Sequence, residues 1–213
     1  MEIAVIYQSR DFVALSKPAG IAVHRGAGVR SPTVADWLAK KYPEVKGNQK
    51  TFEDLKQLFK ERKVVKKYLA LVVGAPKKKS GVINAPIGRS LSNPLKRGVG
   101  KVRGERGALT HYRLLERVGG FSLLEVEPKT GRTHQIRVHL ASIGCPVAGD
   151  KTYGGKKAVL AGLGRQFLHA YSLEFSYPEG RRWHFEAALP EDLDAVLKRL
   201  RRLRKQQGYA KTG

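Results

Sequence analysis

The sequence predicts one α+β domain, in which a few helices flank a largely antiparallel sheet. Residues 69–72 are apolar without interruption, which is typical of a central strand that is buried on both faces. Residues 109–116 and 121–128 favour the two strands of a hairpin. A final helix beginning at Glu191 carries a regular leucine-rich stripe. We therefore predict a single domain over residues 1–206, followed by a loose tail.

The first third of the chain predicts two short strands followed by two helices. Residues 3–6 and 12–16 are the strands, on either side of a polar turn. The first helix has Ser31 as its N-cap and Pro32 at its first position. The second helix has Thr51 as its N-cap and an apolar side.

Charge is the strongest signal in the composition. The chain has 41 Lys and Arg against 18 Asp and Glu, a net charge of +23 and an isoelectric point near 10.3. Such a surface selects polyphosphate partners, and we predict that the partner is RNA. A membrane surface ranks lower, because the basic residues are spread over several segments and not over one amphipathic helix.

The apolar segments and the single cysteine exclude other classes. No apolar run reaches the length of a membrane span, and the first ten residues lack a signal-peptide profile. Cys145 is the only cysteine, which excludes an internal disulfide and a cysteine-based metal site. Its apolar neighbours favour a buried structural thiol, and the reducing cytoplasm is the compartment we predict.

Residues 91–107 are predicted to form a mobile basic loop, rich in Gly and basic side chains. Lys96, Arg97, Lys101 and Arg103 are its candidate RNA contacts. A simple solvated linker is the alternative.

Residues 123–155 form the segment around which the rest of the chain is organised. Its pattern predicts a strand, a turn at Gly131 and a short helix with Thr133 as N-cap and Gly144 as C-cap. Long polar side chains gather at the start of that helix, namely Arg132, His134, Gln135 and Arg137. The positive end of the helix dipole adds to them, so the place suits a carboxylate or another anion. A solvated basic helix is the alternative.

Several segments taken together resemble one family. The sequence KTGRTHQIRVHLASIGCPVAGDKTYG is similar to the signature motif of the RluA-type pseudouridine synthases, which isomerise uridine in RNA. The segments SKPAGIAVH, VKKYLALVVG, GALTHYRLLE and RQFLHAYSLEF resemble the family's other motifs in the same order. The resemblance implies a pseudouridine synthase-like fold, a ribosomal or transfer RNA substrate, a monomer, and no metal or organic cofactor.

The resemblance also implies the site residues. Tyr68 packs against the target base, Leu168 lines the pocket, and Arg137 (less favourably Arg132) pairs with a catalytic Asp and keeps it ionised. The remaining RNA-binding candidates are basic or polar side chains near the same motifs: Lys66, Lys67, Lys129, Arg132, His134 and Gln135.

One departure from the family concerns the catalytic residue itself. The family carries a His-Arg-Leu-Asp segment, followed by Thr-Ser-Gly and an apolar strand, and its Asp is the essential catalytic group. Here the chain passes from KYPEVKG directly into NQKTFEDLKQLF, so the Gly47–Asn48 junction replaces that segment. Asp54 and Asp150 are the candidate replacements, although capping and turn roles are more typical of Asp in their positions.

The reaction shows why the loss matters. Breaking the N-glycosidic bond develops positive charge on the sugar, and a carboxylate must stabilise or capture it. We therefore predict an inactive member of an enzyme family, with a non-catalytic RNA-binding protein as the alternative. Two structural consequences are expected: an unpaired edge beside the strand of Tyr68, and an Arg137 without a catalytic carboxylate.

Overall fold

The computed structural model describes residues 2–26, 32–43, 49–93, 95–178 and 180–209. Its strands are β1 (Ala4–Gln8), β2 (Val13–Ser16), β3 (Val65–Val73), β4 (Ser80–Asn84), β5 (Ile87–Ser90), β6 (Arg97–Gly98), β7 (Val102–Arg106), β8 (Leu109–Val118), β9 (Phe121–Pro128), β10 (Leu168–Ser176) and β11 (Arg182–Glu186). Its helices are α1 (Val34–Lys41), α2 (Gln49–Lys60), α3 (Gln135–Ser142) and α4 (Glu191–Tyr209), and a 3-10 helix covers Gly155–Ala158. The predicted α+β class is confirmed. Within these ranges no helix is long and apolar enough to cross a membrane.

The chain folds as two compact units, of which the first contains residues 1–64 and 174–187. In this unit β1 and β2 pair in antiparallel fashion, as the sequence predicts. Aromatic rings that lie on or beside its strands contact one another at centroid distances of 4.9–5.9 Å, which stabilises a small core of its own. These rings are Tyr7, Phe12, Phe175, Trp183 and Phe185.

The predicted helix starts in this unit were placed wrongly by a few residues. Thr33 is the N-cap of α1, and its side chain and that of Asp36 each accept a hydrogen bond from the other residue's N–H, forming a capping box. Pro32 therefore precedes the cap, and the predicted cap Ser31 lies outside the described residues. Thr51 lies inside α2, where its hydroxyl accepts a hydrogen bond from Tyr177 at 3.1 Å. The Gly47–Asn48 junction also lies outside the described residues.

The second unit contains residues 65–173 and 188–213, and β3 is central in its main sheet. The strand order is β10-β3-β9-β8-β4, and Ala70, Leu71 and Val72 in β3 are completely buried. The predicted central strand is therefore confirmed. The predicted unpaired edge beside Tyr68 is wrong, because β10 pairs with β3 on one side and β9 pairs with it on the other.

The two faces of β3 bury different helices, because alternate side chains of a strand point to opposite faces. Ala70 and Val72 pack in one apolar cluster with Ile136 and Leu140 of α3. Leu71 packs in another cluster with the α4 stripe, which comprises Leu193, Val196, Leu197 and Leu200. The leucine-rich stripe predicted for the last helix is thus confirmed up to Leu200, and α3 is held on one face of the sheet.

Residues 91–107 are not a loop throughout. They contain β6 and β7, which flank β5 in a three-stranded sheet with the order β6-β5-β7. Runs of Lys, Arg and Gly hid these strands, because such residues have low strand propensity and show no apolar alternation. Arg97, Arg103 and Arg106 of this segment are therefore held in register with β5.

His139 of α3 is buried and fastens the helix to the sheet. Its Nδ1 lies 2.8 Å from the Thr110 hydroxyl, and its Nε2 lies 2.9 Å from the Ala85 carbonyl. Burial lowers the pKa of His139, and the bond to Ala85 offsets this only in part. The neutral ring, donating to Ala85 from Nε2, is the form that fits these contacts.

The stability of the fold is expected to decrease as the pH falls from 7 to 5. The unfolded state takes up a proton on His139 near its ordinary pKa of about 6.5, whereas the folded state resists it, so acid favours unfolding. Urea denaturation across this pH range measures the effect. The pH dependence should be weaker in His139→Gln than in the wild type. Equal pH dependence in the two proteins would refute this role of His139.

Candidate active site

A cavity of about 430 Å³ lies in the second unit, between the start of α3 and the first residues of β3 and β10. Seven of the predicted site residues line it: Lys66, Tyr68, Arg132, His134, Gln135, Arg137 and Leu168. The other predicted residues do not. Lys67 and Lys129 lie nearby in ion pairs with Glu125 and Glu127. Arg97 and Arg103 belong to the three-stranded sheet, and Lys96 and Lys101 lie just outside its strands. We refer to this space as the active-site cavity.

Tyr68 and Leu168 form the apolar part of the cavity wall. Tyr68 lies in β3, Leu168 opens the neighbouring β10, and both pack against the cluster that contains Leu140. Each is only partly buried, so part of each side chain faces the open space. Burial raises the pKa of Tyr68, which keeps its phenol neutral. A flat uncharged ring such as a nucleobase suits this wall.

The start of α3 differs from the prediction in a way that shapes the cavity. Its N-cap is His134, not Thr133, and His134 adopts a left-handed conformation with φ 58°. Gly131 is not among the described glycines with positive φ, so the strained position falls on the histidine. The His134 Nδ1 lies 2.9 Å from the Tyr153 hydroxyl, which holds the ring in place. Non-glycine residues in this conformation are uncommon and often lie at functional sites.

Gln135 is a structural residue, because its side-chain amide is fully used inside the protein. Its Oε1 accepts hydrogen bonds from the Thr130 hydroxyl at 2.7 Å and from the Arg132 N–H at 2.9 Å. Its Nε2 donates to the Leu109 carbonyl and the Thr110 hydroxyl, both at 3.0 Å. Two donors and two acceptors are the whole capacity of an amide, so none is left for RNA. The predicted RNA contact at Gln135 is replaced by a role in holding the turn before α3.

Arg137 forms a buried ion pair with Asp150, which lies in the turn after α3. Its Nε and one terminal nitrogen each donate to Asp150, both at 2.6 Å. The Asp150 side chain is 0% exposed and that of Arg137 is 13% exposed. The absence of a catalytic carboxylate beside Arg137 stays a prediction, and the carboxylate that pairs with Arg137 comes from the GDKTYG turn.

Asp150 has no oxygen free for chemistry. Besides the two bonds from Arg137, its Oδ1 accepts from the N–H groups of Thr152 and Tyr153 at 2.9 and 3.1 Å. Burial alone would raise the pKa of Asp150, but these hydrogen bonds outweigh it and hold that pKa below its ordinary value. Asp150 is thus a buried, ionised anchor for Arg137 and for the turn.

Tyr153 is the residue whose importance the sequence did not reveal. The guanidinium of Arg137 lies over its ring at 4.9 Å, and its hydroxyl contacts His134 and accepts a hydrogen bond from the Arg97 N–H at 3.0 Å. It therefore joins α3 to β6, which are far apart in the chain. The GDKTYGG segment that contains it was part of the family resemblance, but tyrosine in a turn gives no local signal of such contacts.

The described wall of the active-site cavity contains basic, amide and apolar groups but no Asp or Glu. The other candidate replacement, Asp54, belongs to the first unit, where the Tyr177 hydroxyl donates to it at 3.3 Å. In the part of the chain that the structure describes, no three His, Cys, Asp or Glu side chains gather into a group that could hold a metal ion. The cavity is thus suited to binding a base, and its described wall supplies no carboxylate nucleophile.

Comparison with known proteins gives a consistent result. A family profile described as RNA pseudouridylate synthase matches residues 45–142. An uncharacterized RNA pseudouridine synthase of Mycobacterium bovis is 40% identical over 225 residues, which cover 92% of this chain and 72% of that protein. The ribosomal large subunit pseudouridine synthase D of Nitrosomonas europaea is 36% identical, over 93% of this chain and 65% of its own length.

Two solved human structures show the same fold. RNA pseudouridylate synthase domain containing 4 superposes with a TM-score of 0.75 at 24% identity, over 92% of both chains. RNA pseudouridylate synthase domain containing 1 superposes with a TM-score of 0.71 at 25% identity, over 94% of this chain and 95% of the other.

Proposed function

This chain belongs to the RNA pseudouridylate synthase family, and we propose that it binds a uridine of ribosomal or transfer RNA in the active-site cavity without completing its isomerisation. In this proposal Tyr68 and Leu168 hold the flipped base, and Lys66, Arg132 and His134 face the RNA backbone around it. Arg137 stays fixed by Asp150 and orients the wall beside the base.

The observation that carries the proposal is a cavity lined by Tyr68 and Leu168, to which the resemblance assigns base binding, with no carboxylate on its described wall. When the glycosidic bond breaks, the positive charge that develops on the sugar needs a negative counter-charge. Basic groups near the sugar destabilise this charge. Asp150 cannot take over, because it is buried and all its hydrogen bonds serve the fold.

The comparison lengths support a loss inside the chain. The match with the Mycobacterium bovis protein extends over 225 residues, whereas this whole chain has 213. The relative therefore carries residues that have no counterpart here. A missing His-Arg-Leu-Asp segment at the Gly47–Asn48 junction accounts for such a difference.

RNA binding is expected to depend steeply on salt, because the chain carries a charge of +23. Replacing Lys96, Arg97, Lys101 and Arg103 by Gln should weaken binding and reduce the slope of log affinity against log salt by about 3. Fluorescence anisotropy with a single-stranded RNA, over a range of potassium chloride concentrations, measures both quantities.

The matched control removes four exposed lysines that lie outside both the cavity and the three-stranded sheet: Lys77, Lys78, Lys79 and Lys151. If the control loses as much affinity as the test variant, binding follows net charge alone and this segment has no special part in it. The proposed lack of isomerisation is tested by tritium release from C5-labelled uridine in RNA, with a restored segment as the comparison.

A further inference from the structure

Three arginines lie side by side across the three-stranded sheet. Arg89 in β5 is directly opposite Arg97 of β6 on one side and Arg103 of β7 on the other. Directly opposed residues of antiparallel strands point to the same face, with Cβ atoms about 5 Å apart. Like charges in such positions repel and destabilise the sheet. This arginine row therefore lowers the stability of the free protein unless an anion binds to it.

Two further arginines converge on the same place. The pairing of β5 with β7 shifts register between Ile87 and Arg89, and Gly104 in β7 has φ +61°, so Arg106 reaches the cavity wall together with Arg103. Arg132 approaches from the turn before α3, where its Nε donates to the Gly107 carbonyl at 3.1 Å. All five arginines line one cavity of about 420 Å³.

The charge of this arginine cavity is not balanced by its own wall. Its described lining contains no Asp or Glu, and Glu105 of β7 is not part of it. Arg89, Arg103 and Arg106 are exposed, so a ligand can reach them from solvent. Guanidinium groups bind phosphate oxygens through paired hydrogen bonds, and several around one space suit a phosphate group.

The arginine cavity and the active-site cavity share part of their walls. Gly131 and Arg132 line both of them. The Tyr153 hydroxyl adds a second link, because it contacts His134 on one side and the backbone N–H of Arg97 on the other. An anion among the arginines therefore lies beside the place proposed for the base.

We propose that the arginine cavity binds a backbone phosphate of the RNA next to the nucleotide whose uracil enters the active-site cavity. This inference rests on the proposed recognition of uridine. Phosphate and base are then held at two adjoining places, which fixes the position of the RNA strand along the protein surface. A free phosphate ion has the same chemistry, and the experiment below separates the two sources.

The first measurement is the thermal stability of the whole protein with and without inorganic pyrophosphate. Without the anion, Arg89→Gln should melt at a higher temperature than the wild type, because repulsion in the row is relieved. Pyrophosphate should raise the melting temperature of the wild type and of Lys78→Gln, but much less that of Arg89→Gln. Arg103→Gln, on the neighbouring strand, is expected to behave like Arg89→Gln. An equal pyrophosphate effect in all four proteins would overturn the site.

The second measurement uses the single-stranded pentanucleotide AAUAA and its affinity by fluorescence anisotropy. A neutral methylphosphonate linkage replaces the phosphate on the 5′ or the 3′ side of the uridine. One of the two replacements should weaken binding to the wild type and to Lys78→Gln about tenfold, the weight of one charge-assisted hydrogen bond. The same replacement should have little effect on Arg89→Gln.

Two outcomes count against the RNA phosphate. One such outcome is that neither methylphosphonate replacement weakens binding to the wild type. The other is that the replacement weakens binding to Arg89→Gln as much as binding to the wild type. In either case the arginine cavity binds free anions only, or no anion. Failure of uridine recognition shows itself separately, as equal affinity for AAUAA and AAAAA and no effect of Tyr68→Ala, while the pyrophosphate effect on the melting temperature and its reduction in Arg89→Gln persist.

Discussion

Inserting a His-Arg-Leu-Asp segment at the Gly47–Asn48 junction, which gives the restored protein, is expected to raise the rate of pseudouridine formation by about three powers of ten or more, which corresponds to ~4 kcal/mol of transition-state stabilisation. The insert carries His-Arg-Leu-Asp, Thr-Ser-Gly and an apolar strand, the segment that the family resemblance implies, between Gly47 and Asn48. Tritium release from C5-labelled uridine in RNA measures the rate in both proteins.

The size of the effect follows from the chemistry of the cavity. In the proposed complex, Lys66 and Arg132 add positive charge near the bond that breaks, Arg137 is already paired with Asp150, and the described wall adds no carboxylate. An inserted Asp would supply the missing counter-charge or nucleophile. RNA binding relies on residues that the present chain retains, so affinity should change far less than the rate. The restored protein is thus expected to gain turnover at similar affinity.

The matched control carries the same insertion with its Asp changed to Asn. It keeps the added length and the added strand, so it separates the effect of the carboxylate on the rate from any effect of the insertion on folding. Thermal denaturation of each protein measures the effect on folding. The control should remain as inactive as the present chain. Turnover by the present chain at the rate of the restored one would contradict the proposal, and Asp54→Asn would then identify the replacement.

The sequence predicted those parts of the fold whose side chains repeat with a clear period. Uninterrupted apolar residues identified β3, and the leucine spacing identified α4. It failed for β6 and β7, where the strands are held by pairing with β5 and by no apolar pattern of their own. Strand pairing between distant segments is not visible in local periodicity.

The same limit applied to the site. Tyr68, Arg137 and Leu168 were found because they lie in motifs that resemble a family, and the structure brings them to one cavity. Asp150 was named as a candidate replacement for the catalytic Asp, with a turn role as the more typical one. Its pairing with Arg137 was not predicted, because the two residues are 13 positions apart and are joined only by the fold. The left-handed His134 was missed too, since glycine is the usual residue in that conformation.

Arg137→Met is expected to lower the free energy of unfolding by about 3–5 kcal/mol at pH 7, because it leaves the buried Asp150 carboxylate without its partner. The Asp150 side chain is 0% exposed, so water cannot replace the guanidinium. Exposed pairs behave differently. The Arg201 side chain, which pairs with Glu116, is 46% exposed. Arg201→Met breaks this pair and should lower the free energy of unfolding by about 1 kcal/mol or less.

The pH dependence of stability separates the loss of the Arg137–Asp150 ion pair from a simple loss of packing around Arg137. In the wild type the pKa of Asp150 is held below its ordinary value, so the stability it adds is present above about pH 4 and is lost as the pH falls through the folded-state pKa. In Arg137→Met burial dominates and raises that pKa above its unfolded value. Protonation then relieves the penalty, and the variant should lose less stability than the wild type, or gain some, as the pH falls from 7.

Adding Asp150→Asn, which keeps an oxygen for the Thr152 and Tyr153 N–H groups, should recover much of the lost stability at pH 7. Urea denaturation of the four proteins at several pH values measures these differences. If Arg137→Met follows the pH profile of the wild type, or the double variant is no more stable than Arg137→Met, the buried ion pair is not what holds this turn.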